Sequence, residues 1–309
     1  MSEHFEYHSS SERVSRREAF ETIVRSLSCS KPRLLHAAGL AFFFLLCTFG
    51  VLVGDELRPS GSEPRVPERK PAAPWHSPDP RGHQRGAIAV SVASREEVRN
   101  LYNTVYTALT GVPSGSTADV TTCTAGTTTD EYRTALVRRV NYFRAMAGVP
   151  AVVTLDDEYT LKAQEAALIM AANIGVTNSP PMSWTCWSED GDEGALNSML
   201  SLGLHGHTAI DFFMEGAGTK NTRVGNRRWI LYPQTEFMGT GAADEPVEAG
   251  ATWVIEFNFD DPRPATRTPY VAWPPPGFVP YRVVYTRWSF SYPEADFSSA
   301  AVTVMHDGA

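Results

Sequence analysis

The chain has 309 residues, 42% hydrophobic and 20% charged, with a formal net charge of −8. That length supports one sizeable core rather than several large domains. The acidic balance, with a pI of about 5.5, argues against a nucleic-acid partner, which calls for a basic patch.

Residues 1–33 are polar, of mixed charge and rich in Ser and Arg, and read as a short cytoplasmic tail. Arg13, Arg16 and Arg17 in it either touch an anionic membrane surface or are solvated. Residues 34–54, LLHAAGLAFFFLLCTFGVLVG, form a run of 21 without a formal charge. At about 1.5 Å rise per residue, this run crosses a hydrocarbon core of about 30 Å. Lys31 and Arg33 precede it, and Asp55 and Glu56 follow it. The expected arrangement is a single-pass signal anchor, membrane-bound through residues 34–54, with the main domain periplasmic or extracellular. Secretion after signal cleavage is the alternative, because residues 51–54 offer small side chains; against it, both the leading segment and the apolar run are long for a signal peptide.

That orientation leaves Cys29 on the cytoplasmic side and Cys47 within the span, so only Cys123 and Cys186 reach the exported side. Disulfides persist there, and two cysteines allow one pairing, so a Cys123–Cys186 bond is expected, with two free buried thiols as the alternative. A zinc site needs more ligands than these two.

Residues 55–93 read as a spacer, with seven prolines between 55 and 86. Residues 94–127 form a helix-and-loop lead-in. The helix, 94–110, has a capping box of Ser94 and Glu97 and an apolar repeat of Val98, Leu101, Val105 and Leu109. A Thr/Gly/Ser-rich loop follows over 111–129.

The main domain spans 128–260. Its first helix carries a capping box of Thr128 and Glu131 and a face of Tyr132, Leu136, Val140 and Phe143, and stops at Gly148 and Pro150. A second helix runs over 156–173, capped by Asp156 or Asp157, and shorter helices are expected over 192–203 and 207–216. FMGTGA and ATWVIEFNF read as strands; in the second, Trp253, Ile255, Phe257 and Phe259 alternate with more polar positions. Residues 261–309 are a proline-rich connector and a β-rich segment that either packs on the main domain or is an incomplete sandwich.

Familiar catalytic signatures are absent: no G-x-S-x-G, P-loop or dinucleotide fingerprint occurs, and the SGS at 114–116 falls in a flexible loop. GLHGH places His205 and His207 two apart, as a metal pair, a catalytic histidine or a surface loop. With no nearby Cys, Asp or Glu before Asp211, the loop is favoured. Glu189, Asp190, Asp192 and Glu193 lack the EF-hand spacing and read as a solvated helix start.

Four segments in order, NYFRAMAGVPAVVTLDDEYTLKAQEAALIMAAN, SPPMSWTCW, VGNRRWILYP and MGTG, resemble the bacterial branch of the CAP superfamily, which includes cysteine-rich secretory, antigen 5 and pathogenesis-related proteins. The resemblance covers about 128–260 and implies an α+β fold, a CAP-type α-β-α sandwich. It also implies a cleft of two histidines and two acidic residues that in some members binds a divalent metal. Here the matching positions are Asn178, Asn226, Met199 and Glu215, with Arg227 beside them. Asparagine offers a weak carbonyl ligand and methionine none to a hard cation, so no metal cofactor is expected and the cleft reads as degenerate. Trp229, Ile230 and Leu231 point to the core, while Arg227 and Arg228 either pair with acids such as Glu215 or Asp211 or are solvated, as exposed charges usually are. The implied role is non-catalytic binding or scaffolding at the cell envelope, toward an apolar molecule, a glycan or a protein. The alternatives are a hydrolase or peptidase using Glu215, and an inert domain that presents the C-terminal segment.

Overall fold

The computed structural model describes residues 88–305, apart from 220, 257 and 260; residues 1–87, on which the expected cytoplasmic tail, the expected 34–54 span and most of the expected spacer fall, lie outside the described residues. No helix among the described residues is long and apolar enough to cross a membrane. The described chain falls into two units, one ending at Phe290 and one comprising 291–305.

Helix α1, Arg95–Leu101, begins where the Ser94 hydroxyl accepts from Glu97 N–H at 3.2 Å. The Glu97 carboxylate reaches back to Ser91 N–H at 2.9 Å, three residues beyond the reciprocal position of a capping box. The helix continues as a wider turn, Tyr102–Tyr106, and a tighter one, Thr107–Leu109. Helix α2, Asp130–Ala147, is capped by Thr129, not Thr128: the Thr129 hydroxyl accepts from Tyr132 N–H at 3.2 Å. Gly148 ends it at φ +78°, a conformation glycine adopts without steric cost. Helix α3, Asp157–Asn173, is capped by Asp156, which accepts from Tyr159 N–H at 2.9 Å.

The expected helix over 192–203 divides in two. Helix α4 is Glu189–Leu196, and strand β2 is Ser198–Leu202. Helices α5, Gly206–Glu215, and α6, Gly225–Ile230, follow. With β1, Thr154–Leu155, β3, Phe237–Ala243, and β4, Ala249–Trp253, strand β2 completes a sheet of order β1-β3-β4-β2. β1 runs parallel to β3, and the other neighbours are antiparallel. β4 ends at Trp253 rather than continuing through the alternating run: its partner β2 begins opposite Trp253, at Ser198, and Val254 and Ile255 N–H both converge on Asn197 O, at 3.0 and 3.4 Å.

Helices cover both faces of the sheet. On one side the alanine-rich face of α3, Ala163, Ala166, Ala167 and Ala171, packs against Ala243, Ala249 and Ala251. The approach is so close that a Cβ on Gly239 or Gly241 would meet the α3 backbone, which accounts for the MGTG of β3. On the other side α2, α5 and α6 bury Leu136, Val140, Phe143, Ile210, Phe213 and Ile230. The core extends beyond these layers. Val98 and Val105 from the lead-in join it, as does Val92, so the end of the 55–93 segment packs in the core instead of acting as spacer; Trp273 of strand β5, Val271–Trp273, also joins, its ring edge-on to Phe143 at 5.1 Å. Strand β5 pairs with β6, Ser289–Ser291. Of the second unit, residues 292–305 form no helix or strand; Asp296 there accepts from Ser298 N–H at 2.8 Å.

The bond between Cys123 and Cys186 is formed, with Cα atoms 5.0 Å apart. It ties the 111–129 loop to the segment between α3 and α4.

Candidate functional site

The positions carried by the CAP resemblance fall in two neighbourhoods. Asn178, in the loop after α3, donates its amide N–H groups to Ala195 O at 2.5 Å and Ser198 O at 2.8 Å. It therefore sits at the α4–β2 junction, next to Met199, which is 4% exposed, pairs with Thr252 of β4 and belongs to the main core. Glu215 ends α5 with its side chain exposed, and Asn226 is half-buried in the first turn of α6. Among the described residues, no hydrogen bond joins Asn178 to Asn226.

Arg227 is not solvated. It is 1% exposed, and its guanidinium donates to Met214 O at 2.7 Å, Glu215 O at 2.9 Å, Arg287 O at 2.9 Å and Ser289 Oγ at 3.0 Å. The last carbonyls of α5 have no partner within the helix, and Arg227 supplies it. Burial lowers its pKa to about 10, so it stays charged at neutral pH. Arg228 is exposed. VGNRRWILYP is thus itself the short helix α6 and its exit, a structural corner that locks α5 to the 285–290 segment.

The histidines of GLHGH are not in a free surface loop. His205, at the start of α5, meets Asp244 Oδ1 at 3.0 Å, and Ser114 Oγ donates to both Asp244 oxygens at 2.6 Å. Asp244 lies between the serine and the histidine, the reverse of a nucleophile–base–acid relay, and Ser114 is 2% exposed. The trio is a clamp that fastens the SGS loop to the β3–β4 turn. His207 is 5% exposed, and its Nε2 accepts from Gly111 N–H at 3.3 Å. Burial, followed by the charges of Arg139 and His205, lowers its pKa to about 4.

Its folded pKa lies below the unfolded value of 6.5, so the unfolded chain binds more protons between pH 6.5 and 4, and stability falls as pH drops through that window. At about 1.36 kcal/mol per unit, the expected loss is about 3 kcal/mol. Urea unfolding of the native chain and of His207→Gln, which keeps an acceptor for Gly111, measures it. The stability difference between the two is expected to change by about that amount from pH 7 to 4; parallel curves would refute the assignment.

Sequence reading also missed a buried polar group beneath α5. Arg139 of α2 is 2% exposed, pairs with Asp211, donates to Tyr106 O at 2.8 Å and lies 3.7 Å from the Tyr106 ring centroid. Burial raises the Asp211 carboxyl above its usual range, against the opposing pull of Arg139. The signal available was an arginine inside an apolar helical face, at Leu136, Val140 and Phe143 spacing. Among the described residues, no three His, Cys, Asp or Glu side chains group as metal ligands.

A four-stranded sheet between helical layers, with a disulfide outside it, defines a small α+β domain of the α-β-α type. Residues 137–257 match the profile of the CAP family, described as the cysteine-rich secretory protein family, and this segment is a CAP domain. No curated protein and no solved structure gives a significant match.

Proposed function

We propose that this is a membrane-tethered, exported CAP-domain protein of the bacterial type that binds or scaffolds at the cell envelope and does not catalyse. The observation that carries this reading is the use made of Asn178. Where the resemblance expects a histidine, the amide is spent on two main-chain carbonyls and knits a loop to the α4–β2 junction. Met199 is packed in the core, Glu215 is exposed, and the bond Arg227 makes to Glu215 goes to its main-chain carbonyl. A divalent metal does not fit these donors, because one amide oxygen is a weak ligand and a buried thioether none for a hard cation. General-base chemistry likewise lacks an imidazole at either matched position. Residues 34–54 supply the tether, and the disulfide accords with an oxidising compartment.

Calorimetric titration of zinc into the native chain and into Asn178→His/Asn226→His tests the reading. The expected result is no saturable binding by the native protein and binding by the variant. Tight binding by the native protein, or peptide or ester hydrolysis that Glu215→Gln abolishes, would overturn it.

A further inference from the structure

A cavity of about 520 Å³ lies beside the Cys123–Cys186 bond, and none of Asn178, Met199, Glu215, Asn226 and Arg227 lines it. Three separated segments line it: Cys123 and Ala125 from the lead-in loop, Glu165 and Leu168 from α3, and Met182, Trp184, Cys186, Trp187 and Ser188 from the α3–α4 loop. The volume is that of ordinary small-molecule sites.

Its walls are held in place. The Cys123–Cys186 bond joins two of the segments. Asn173, at the end of α3, both donates to Thr185 O at 2.9 Å and accepts from Thr185 N–H at 3.0 Å. Trp187 N–H donates to Trp184 O at 3.2 Å. Ser188 caps α4 by accepting from Gly191 N–H at 3.0 Å while its own hydroxyl donates to Glu165 Oε2. The Trp184 ring packs against Gly175, where a Cβ would stand 3.0 Å from the indole. Such a site is preorganised, and ordering costs little when a ligand enters.

The chemistry of the lining is one-sided. It holds two indoles, an exposed methionine and one carboxylate, and no lysine, arginine or histidine. The Ser188 hydroxyl proton is already given to Glu165, and the Trp187 indole nitrogen is shut off from solvent, so the lining combines an acceptor and two tryptophans with few free donors. The first turn of α4 adds the exposed Glu189 and Asp190 next to Ser188. A neutral sugar needs donors and acceptors together, and an anion is repelled. An organic ammonium is attracted by both the carboxylate and the indoles, tryptophan being the strongest aromatic partner for a cation.

We propose that this groove binds a quaternary or alkylated ammonium group, of the kind carried by choline and its derivatives, through Trp184, Trp187 and Glu165. The proposal deepens the binding-module reading by naming a ligand class, and it rests on residues that the zinc experiment does not touch.

Choline chloride titrated into the full chain, followed by tryptophan fluorescence and calorimetry, is the test, with 3,3-dimethylbutanol as the uncharged isostere. Saturable choline binding, about tenfold weaker in Glu165→Gln and in Trp184→Ala and at least tenfold weaker for the isostere, is expected. Vesicles with and without phosphatidylcholine distinguish a lipid headgroup from a free ligand as the source. Thermal melts confirm that the variants are folded, and Glu165→Gln, which retains an acceptor for Ser188, is the variant expected to melt with the native chain. Absence of saturable binding, equal binding of the isostere, an unaffected Glu165→Gln, or binding of chitotriose in place of choline would overturn the proposal.

Discussion

Replacing Arg144 by methionine is expected to destabilise the fold by about 4 kcal/mol, because the side chain satisfies a whole loop by itself. Arg144 is fully buried in α2. Its Nε donates to Pro150 O at 2.7 Å, its Nη1 to Ile230 O at 2.9 Å and Tyr232 O at 2.8 Å, and its Nη2 to Pro233 O at 3.4 Å and Thr235 O at 3.0 Å. Among the described residues no carboxylate forms an ion pair with it; Glu256 acts at longer range, and burial lowers the pKa only to about 10, so the guanidinium is charged at pH 7. Methionine fills the volume but leaves five carbonyls without this donor, three of them at buried positions. Each such group costs roughly 1–3 kcal/mol, offset by the relief of a buried charge and by loop relaxation. Lysine brings three donors on one centre and is expected to recover about half of the loss. Urea unfolding measures both variants, with the midpoint falling at unchanged slope. A methionine variant within 1 kcal/mol of the native chain, on this order-of-magnitude scale, would mean that the 230–235 loop is held by something else.

The same residue shows where sequence reading reaches its limit. The helices were legible because their determinants are local: Ser94, Asp156 and the Gly148 stop act within one turn, and the Tyr132–Phe143 face repeats at helical spacing. Strand β2 was not, because SMLSL is largely buried on both faces of the sheet and shows no period-two contrast. The arginines failed for another reason. Arg227 reads from the sequence as solvated or paired with an acid, and Arg139 and Arg144 carry no distinguishing mark, yet all three are buried and donate to main-chain carbonyl oxygen; for Arg144 and Arg227 some of those carbonyls lie 60 to 91 residues away. Nothing local encodes that demand. The CAP positions were legible as a pattern of substitutions, but not the use made of Asn178, which depends on where the α4–β2 junction lies. The tryptophan groove draws on three segments between 123 and 188 and has no spacing to recognise.

Removing the Cys123–Cys186 bond is expected to cost about 3 kcal/mol. The bond closes a loop of 63 residues, and the chain-entropy relation gives about 4 kcal/mol for a closure of that length. Against this, Cys123 and Cys186 adopt φ of +53° and +59°, a region that costs an L-residue about 1 kcal/mol or more and that the reduced loop is free to leave in part. Cys123 is exposed, so reductant reaches the bond without global unfolding. Denaturation with and without reductant, and of Cys123→Ser/Cys186→Ser, is expected to agree on the loss; unchanged stability would show that the 111–129 loop and the 174–188 loop hold their places without it. Reduction is also expected to weaken choline binding, since both cysteines line the groove, whereas the clamp of Ser114, Asp244 and His205 stays intact. The redox state in the cell is informative in its own right. A bond found oxidised in the cell that natively makes the protein supports export of everything after residue 55, because the cytosol keeps such pairs reduced. Free thiols at Cys123 and Cys186 in protein trapped with alkylating agent would place the domain on the reducing side of the membrane and undo the proposed orientation of residues 34–54.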